Sequence, residues 1–169
     1  MSHLIKIGID PSGTGTTAIV IYENNKLIKQ NEFTSKYWKE HYKFIDEFID
    51  EYLYSDYYVK NKGELFPKGL NIEDCLYTSA NASKDRDDLL RLLLGAIENT
   101  WVSYNWVSPK HTKSVVKNME NLSKYNDSCI WKFDKDTNLT YQYGKGWKYN
   151  NDKISNHLRD AIIIANYES

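Results

Sequence analysis

The opening residues constrain the fold more than any other stretch. Residues 4–10 read Leu-Ile-Lys-Ile-Gly-Ile-Asp, an apolar run that stops at the carboxylate of Asp10. Pro11-Ser12-Gly13-Thr14-Gly15 then turns the chain, and Thr-Thr-Ala-Ile-Val-Ile-Tyr over 16–22 takes the apolar run up again. Short apolar runs bounded by turn residues predict strands. Asn24-Asn25 is a tight-hairpin signal ahead of a third strand at 26–33. Three strands in direct succession form a meander. Asp10 falls at a strand end beside a Gly-rich turn, a place suited to holding a divalent metal or a phosphate.

Helices and further strands follow. Trp38, Tyr42, Ile45, Phe48, Ile49 and Tyr52 recur at three- to four-residue spacing and predict a helix over 36–53. Residues 54–67 read as a polar, Tyr-rich loop, and 69–76 as a segment with a short strand ending near Glu73. Leu89, Leu90, Leu93, Leu94 and Ile97 give an apolar face to a helix from Ser83 to Thr100. Asp85, Asp87 and Asp88 lie near its start, where the helix dipole favours acids. Another strand is expected around Tyr104–Val107, then a helix opened by Pro109 and running to about Met119. In 125–151, Trp131, Phe133, Tyr141, Tyr143 and Trp147 alternate in part, with Gly144 and Gly146 interrupting; this reads as a hairpin-like insertion. A last helix runs from about Ser155 to Tyr167, capped by Asp152 or Ser155. The order fits an α/β fold, a mixed sheet flanked by helices.

A chain of 169 residues suits one domain, and 41% hydrophobic content suits a folded core. No run approaches the ~18 apolar residues of a membrane span. The N-terminus enters a strand with no signal-peptide pattern, so a cytoplasmic protein is expected. Cys75 and Cys129 lack zinc-type spacing and are expected to be free thiols. A net charge of −1 gives no general pull toward nucleic acid. Its distribution is uneven, however. Residues 109–148 hold eight lysines against four acids, net +4, whereas 32–64 hold eight acids against five lysines, net −3. The first segment is either ordinary surface charge or a basic face for phosphates. Some of the 14 Tyr and 5 Trp could stack on unpaired bases, the rest packing in the core.

Gly13-Thr-Gly15-Thr-Thr-Ala18 loosely matches a dinucleotide-binding turn, but that turn must lead into a helix, and Ile19-Val20-Ile21 reads as strand. The glycines therefore read as a plain turn. Asp10 alone could be a turn-former, Glu73 alone a solvated acid, and His157 with Asp160, at i and i+3 of one helix, a surface pair. Together they read differently. Two strand ends and one helix can bring three carboxylates and an imidazole to one end of a sheet. Such carboxylates repel unless a cation sits among them, and hard oxygen ligands favour Mg²⁺ or Mn²⁺. Asp160 leads into Ala161-Ile162-Ile163-Ile164-Ala165, so its helix is expected to pack on the sheet with its polar start near the strand ends.

Ile7-Gly8-Ile9-Asp10-Pro11-Ser12, with its Gly/Thr turn and following strand, resembles the opening motif of RuvC-type Holliday junction resolvases. Ile72-Glu73-Asp74 resembles their second motif, and His157-Leu-Arg-Asp160-Ala161 their C-terminal one, all in the family's order. The resemblance covers most of the chain. It implies a ribonuclease H-like fold with a mixed five-stranded sheet, one nuclease domain over 1–169, and a family-variable insertion at about 125–151. It further implies a homodimer and two Mg²⁺ ions per site, with Mn²⁺ able to substitute. Asp10 would bridge the two, Glu73 would bind one, and His157 and Asp160 the other. The implied reaction is metal-dependent, symmetric cutting of four-way DNA junctions, leaving a 5′ phosphate and a 3′ hydroxyl.

The chain also departs from the family. Relatives often carry an aromatic wedge three residues after the second acid, where this chain has Leu76; Tyr77 beside it could substitute. Relatives are more basic, and 125–151 looks inserted or replaced, which suits a phage or mobile-element version. Tyr77, Lys84, Arg86, Lys110, Lys113 and Lys117 are the candidate DNA contacts. Three other readings stay open: a related nuclease cutting RNA–DNA hybrid or other branched DNA, a non-catalytic DNA-binding module, and an actin-like or sugar-kinase ATPase. The last would need a second lobe, for which the chain is short.

Overall fold

A computed structural model describes residues 4–53, 69–75, 84–100, 104–125 and 129–168. The chain begins with β1 (Ile5–Asp10), β2 (Thr16–Glu23) and β3 (Lys26–Thr34). It continues through α1 (Trp38–Leu53), β4 (Gly69–Glu73), α2 (Lys84–Thr100), β5 (Asn105–Val107) and α3 (Pro109–Ser123). Four short strands follow, β6 (Ile130–Lys132), β7 (Leu139–Gln142), β8 (Gly146–Tyr149) and β9 (Asp152–Lys153), and then α4 (Asn156–Ala165).

The first five strands form the expected mixed sheet, in the order β3-β2-β1-β4-β5. The leading meander is antiparallel, while β4 and β5 are added in parallel. The chemistry of the connections explains this. Asn24 and Asn25 both take positive φ, 50° and 63°, as a tight hairpin requires. Parallel neighbours need long crossovers, and α1 and α2 lie in those connections.

Helices and a second sheet cover the two faces. Ile5, Ile7 and Ile9 of β1, with Ile19, Ile21, Leu70 and Ile72, pack against Ile45, Phe48 and Ile49 of α1 and Leu93, Leu94 and Ile97 of α2. On the other face Ala18, Val20 and Tyr22 meet Ala161, Ile162, Ile163 and Ala165 of α4, with Met119 of α3. A strand covered on both sides reads as a continuous apolar run, as β2 does over Ala18–Tyr22, whereas the edge strand β3 alternates. Each fully buried Ile stabilises by about 1.5–3 kcal/mol, so β1 is firmly anchored beneath the Asp10 that ends it.

The structure differs from the hairpin expected over 125–151. Three strands form there and a fourth, β9, lies just beyond, giving an antiparallel meander in the order β6-β7-β8-β9. The extra turn is made by Asn150 and Asn151, at φ 49° and 71°, the same device as Asn24-Asn25. Phe133, Leu139, Trp147 and Tyr149 of this segment join the α4 side of the core. Asp136 locks the two sheets together, accepting hydrogen bonds from Tyr22 Oη at 2.6 Å and Tyr149 Oη at 2.9 Å. Burial and this carboxylate hold the Tyr22 hydroxyl far above its usual range and push Tyr149 up to about 12. Two boundaries also move. α3 runs on to Ser123 rather than stopping near Met119, because no breaker intervenes. Ser155 alone caps α4, while Asp152 is in β9. Among the described residues, neither Cys75 nor Cys129 is in a disulfide. Among the described residues, no helix is long and apolar enough to cross a membrane.

Candidate active site

Strand parity selects the face. Successive side chains of a strand point to opposite sides. With Ile5, Ile7 and Ile9 turned to α1 and α2, Gly8 and Asp10 face α4. In β4, Leu70 and Ile72 face α1 and α2, so Asn71 and Glu73 also face α4. Ile9 pairs with Ile72 in parallel register, which leaves Asp10 and Glu73 side by side at neighbouring strand ends. Adjacent strands lie ~4.8 Å apart.

Gly8 brings α4 to them. A Cβ at this position would lie 2.2 Å from the Ala161 carbonyl oxygen and 2.5 Å from the Ala165 nitrogen, so the helix backbone rests directly on the strand. Asn71 fastens the other end, its Nδ2 donating to the carbonyls of Ile164 at 2.9 Å and Tyr167 at 3.0 Å. The first turn of α4 thereby hangs over the strand ends. Ser155 starts it, its hydroxyl accepting from Leu158 N at 3.0 Å. His157 Nδ1 donates to Asp10 Oδ2 at 3.0 Å. In a neutral ring this leaves Nε2 with the lone pair.

The loop beside Asp10 is held by a partly buried relay. Gly15 N donates to Ser12 Oγ at 2.8 Å, and Ser12 N to Thr17 Oγ1 at 2.9 Å. His41 Nε2 donates to the Ser35 carbonyl, and its Nδ1 is hydrogen-bonded to the Thr17 hydroxyl at 2.9 Å. Gly13 lets α2 press on this loop, since a Cβ there would meet the Leu90 nitrogen at 2.6 Å.

Burial and mutual repulsion set the charge states. Burial raises the Asp10 carboxyl above its ordinary range; the His157 hydrogen bond opposes this and the Asp160 charge adds to it. Glu73 is pushed up to about 7, first by burial and then by the negative charges of Asp10 and Asp160. The Thr112 hydroxyl is buried and short of a full hydrogen bond, yet close enough to oppose the rise in Glu73. His157 is raised in turn, chiefly by its hydrogen bond to Asp10.

Asp10, Glu73 and His157 open on one cleft of about 540 Å³, floored by the 11–16 loop and edged by Lys113. Glu73 is shared with a second groove, about 240 Å³, that contains Asp160, Lys113 and Lys117. Of the candidate DNA contacts, Lys113 and Lys117 thus lie at the site. Lys110 is exposed in the first turn of α3, outside the lining of both. Lys84 and Arg86 begin α2, but their side chains lie outside the described residues, as does Tyr77 altogether. One residue escaped the sequence reading. Arg159 is buried between the two α4 candidates, and its Nε donates to Asp160 Oδ1 at 2.7 Å. A cation in the first turn of a helix whose later turns are apolar, which must find partners if buried, was the available clue.

Among the described residues, no three His, Cys, Asp or Glu side chains are grouped closely enough to hold an ion as they stand. The donor chemistry nonetheless fits a hard divalent cation. Asp10, Glu73 and Asp160 are near enough for Asp160 to raise both other acids, and a cation would relieve that repulsion.

No family model matches the chain, and no curated protein matches it. Solved structures do. Thermus thermophilus RuvC in complex with a Holliday junction substrate superposes with a TM-score of 0.54 at 16% identity, over 97% of this chain and 91% of that one. A second Thermus thermophilus RuvC structure gives 0.53 at 15% identity, over 96% and 92%. The fold is therefore the RuvC-type, ribonuclease H-like α/β fold that the motifs implied.

Proposed function

We propose that this protein is a metal-dependent, structure-selective DNA endonuclease that resolves four-way junctions. The observation that carries the reading is the meeting of Asp10 and Glu73, at neighbouring ends of β1 and β4, with His157 and Asp160 of α4. The likeness to the RuvC fold supports it, and branched DNA is the ligand named for one of those structures. We read residues 1–169 as one nuclease domain, acting as a homodimer in the cytoplasm, because symmetric cutting of two strands calls for two equivalent sites.

Asp10, Glu73, His157 and Asp160 would together hold two Mg²⁺ or Mn²⁺ ions. Such ions, when bound, supply an acidified water and charge for in-line hydrolysis, leaving a 5′ phosphate and a 3′ hydroxyl. The remaining work belongs to the chain. The hydrogen bond from His157 Nδ1 holds Asp10 in one orientation. Glu73 must release its proton to act as a ligand, which sets a lower pH limit on activity. Lys113 and Lys117 meet backbone phosphates beside the carboxylates. Lys84, Arg86, Lys110 and Tyr77 are the further candidate contacts with DNA.

Asp10→Asn keeps the shape of the site and removes its central charge. The variant is expected to fold, to bind a synthetic four-way junction with wild-type affinity, and to lose cutting by at least about a hundredfold. Cutting at the wild-type rate would remove Asp10 from the chemistry.

A further inference from the structure

We infer that Arg159 is a positioning residue for Asp160, and that the β6–β9 sheet takes part in building the site by holding Arg159 through Trp147. This rests on the reading of Asp160 as a metal ligand. Arg159 is 9% exposed, and a buried cation is tolerated only with partners. It has several, from three elements. Its Nε donates to Asp160 Oδ1 at 2.7 Å, and its Nη1 donates to Asn156 Oδ1 at 3.2 Å. Nη1 also lies 3.9 Å from Glu120 Oε1 of α3. The guanidinium carbon sits 5.2 Å from the centre of the Trp147 ring on β8. Trp147 is itself fixed, 3% exposed, packed on Tyr141, and donating through Nε1 to the same Glu120 oxygen at 3.4 Å.

Adjacent residues on a helix diverge by about 100°, so helical periodicity does not bring Arg159 and Asp160 together. The guanidinium folds back because Trp147 and Glu120 confine it. Its contact occupies Oδ1 of Asp160 and leaves Oδ2 for a cation, in the groove shared with Glu73. The planar fork of an arginine can serve Asp160, Asn156 and Glu120 while lying over a ring; a lysine cannot. The meander that replaces the expected hairpin is thereby tied to the metal-holding helix.

The test is Mn²⁺ binding by the purified protein, read by the electron paramagnetic resonance of free Mn²⁺, beside junction binding, cleavage kinetics and thermal melts. Arg159→Gln is expected to weaken Mn²⁺ binding about 10–100-fold. It should lower kcat with KM for the junction unchanged, and excess Mn²⁺ should restore part of the rate. Arg159→Lys should not rescue it. Trp147→Leu should weaken Mn²⁺ binding in the same direction, while Trp147→Phe, which keeps an aromatic face, retains most of it. Glu120→Ala, at a partly exposed position, should give a smaller loss and carries the test if the buried variants melt early. Wild-type or tighter Mn²⁺ binding by Arg159→Gln and Glu120→Ala would overturn the inference, provided Asp160→Asn binds weakly. If Asp160→Asn binds like wild type, the metal-site reading itself fails and this inference with it.

Discussion

Glu73 shows how far a side chain's chemistry is set by its neighbours. Its carboxyl titrates near 4.5 in an unfolded chain and at about 7 in the folded one. Between those values the folded protein binds more protons than the unfolded, so stability falls as pH rises. The advantage of the protonated form is complete below the unfolded value and is lost through the folded one. Asp10 and His157 are shifted upward too and act with the same sign. The metal-free protein is therefore expected to melt several degrees lower at about pH 8 than at about pH 5. Glu73→Gln should flatten part of that slope, and saturating Mg²⁺ should flatten it further by stabilising the ionised cluster. A melting temperature that rises over this interval in the absence of metal would contradict the arrangement. Residues of this kind were legible in the sequence where they stood at element boundaries, as Asp10 and Glu73 do beside their apolar runs. Arg159 was not, because its position is explained only by Trp147 and Glu120, both distant along the chain.

At the scale of elements, the site depends on how closely α4 rides on β1. Gly8→Ala inserts a methyl group where the Ala161 and Ala165 backbone already sits, and the helix must lift. A loss of about 1–3 kcal/mol is expected, measured by chemical denaturation. The junction-cutting rate should fall as well, since His157 and Asp160 move with the helix. Gly95→Ala is the matched control. A Cβ there meets nothing within 4 Å inside α2, and alanine should stabilise by about 0.5–1 kcal/mol. Equal effects from the two substitutions would mean that α4 is not held by this close approach. The main elements could be read in advance because their apolar runs and 3–4 spacings are local. The second meander was read as a hairpin for a specific reason. Asn150-Asn151 carries the same turn signal as Asn24-Asn25, but β9 is two residues long and leaves almost no strand pattern around it.

Across the whole molecule, one end of the main sheet gathers the carboxylates, and α3 lays Lys113 and Lys117 beside them. In a chain of net charge −1, these lysines put positive groups at an otherwise acidic end of the sheet. The second sheet packs on the α4 face of the core, the face to which Asp10 and Glu73 point, and through Asp136 is joined to β2 by a buried hydrogen bond. The decisive measurement is cleavage of a labelled synthetic four-way junction beside linear duplex, fork and RNA–DNA hybrid, each with Mg²⁺, Mn²⁺ or EDTA. Paired nicks confined to the junction, present with either metal and absent with EDTA, are the expected result. Cutting of the hybrid or the fork instead would keep the carboxylate site and replace the substrate. Junction binding with no cutting under either metal would contradict the nuclease reading and leave a DNA-binding module on the same fold.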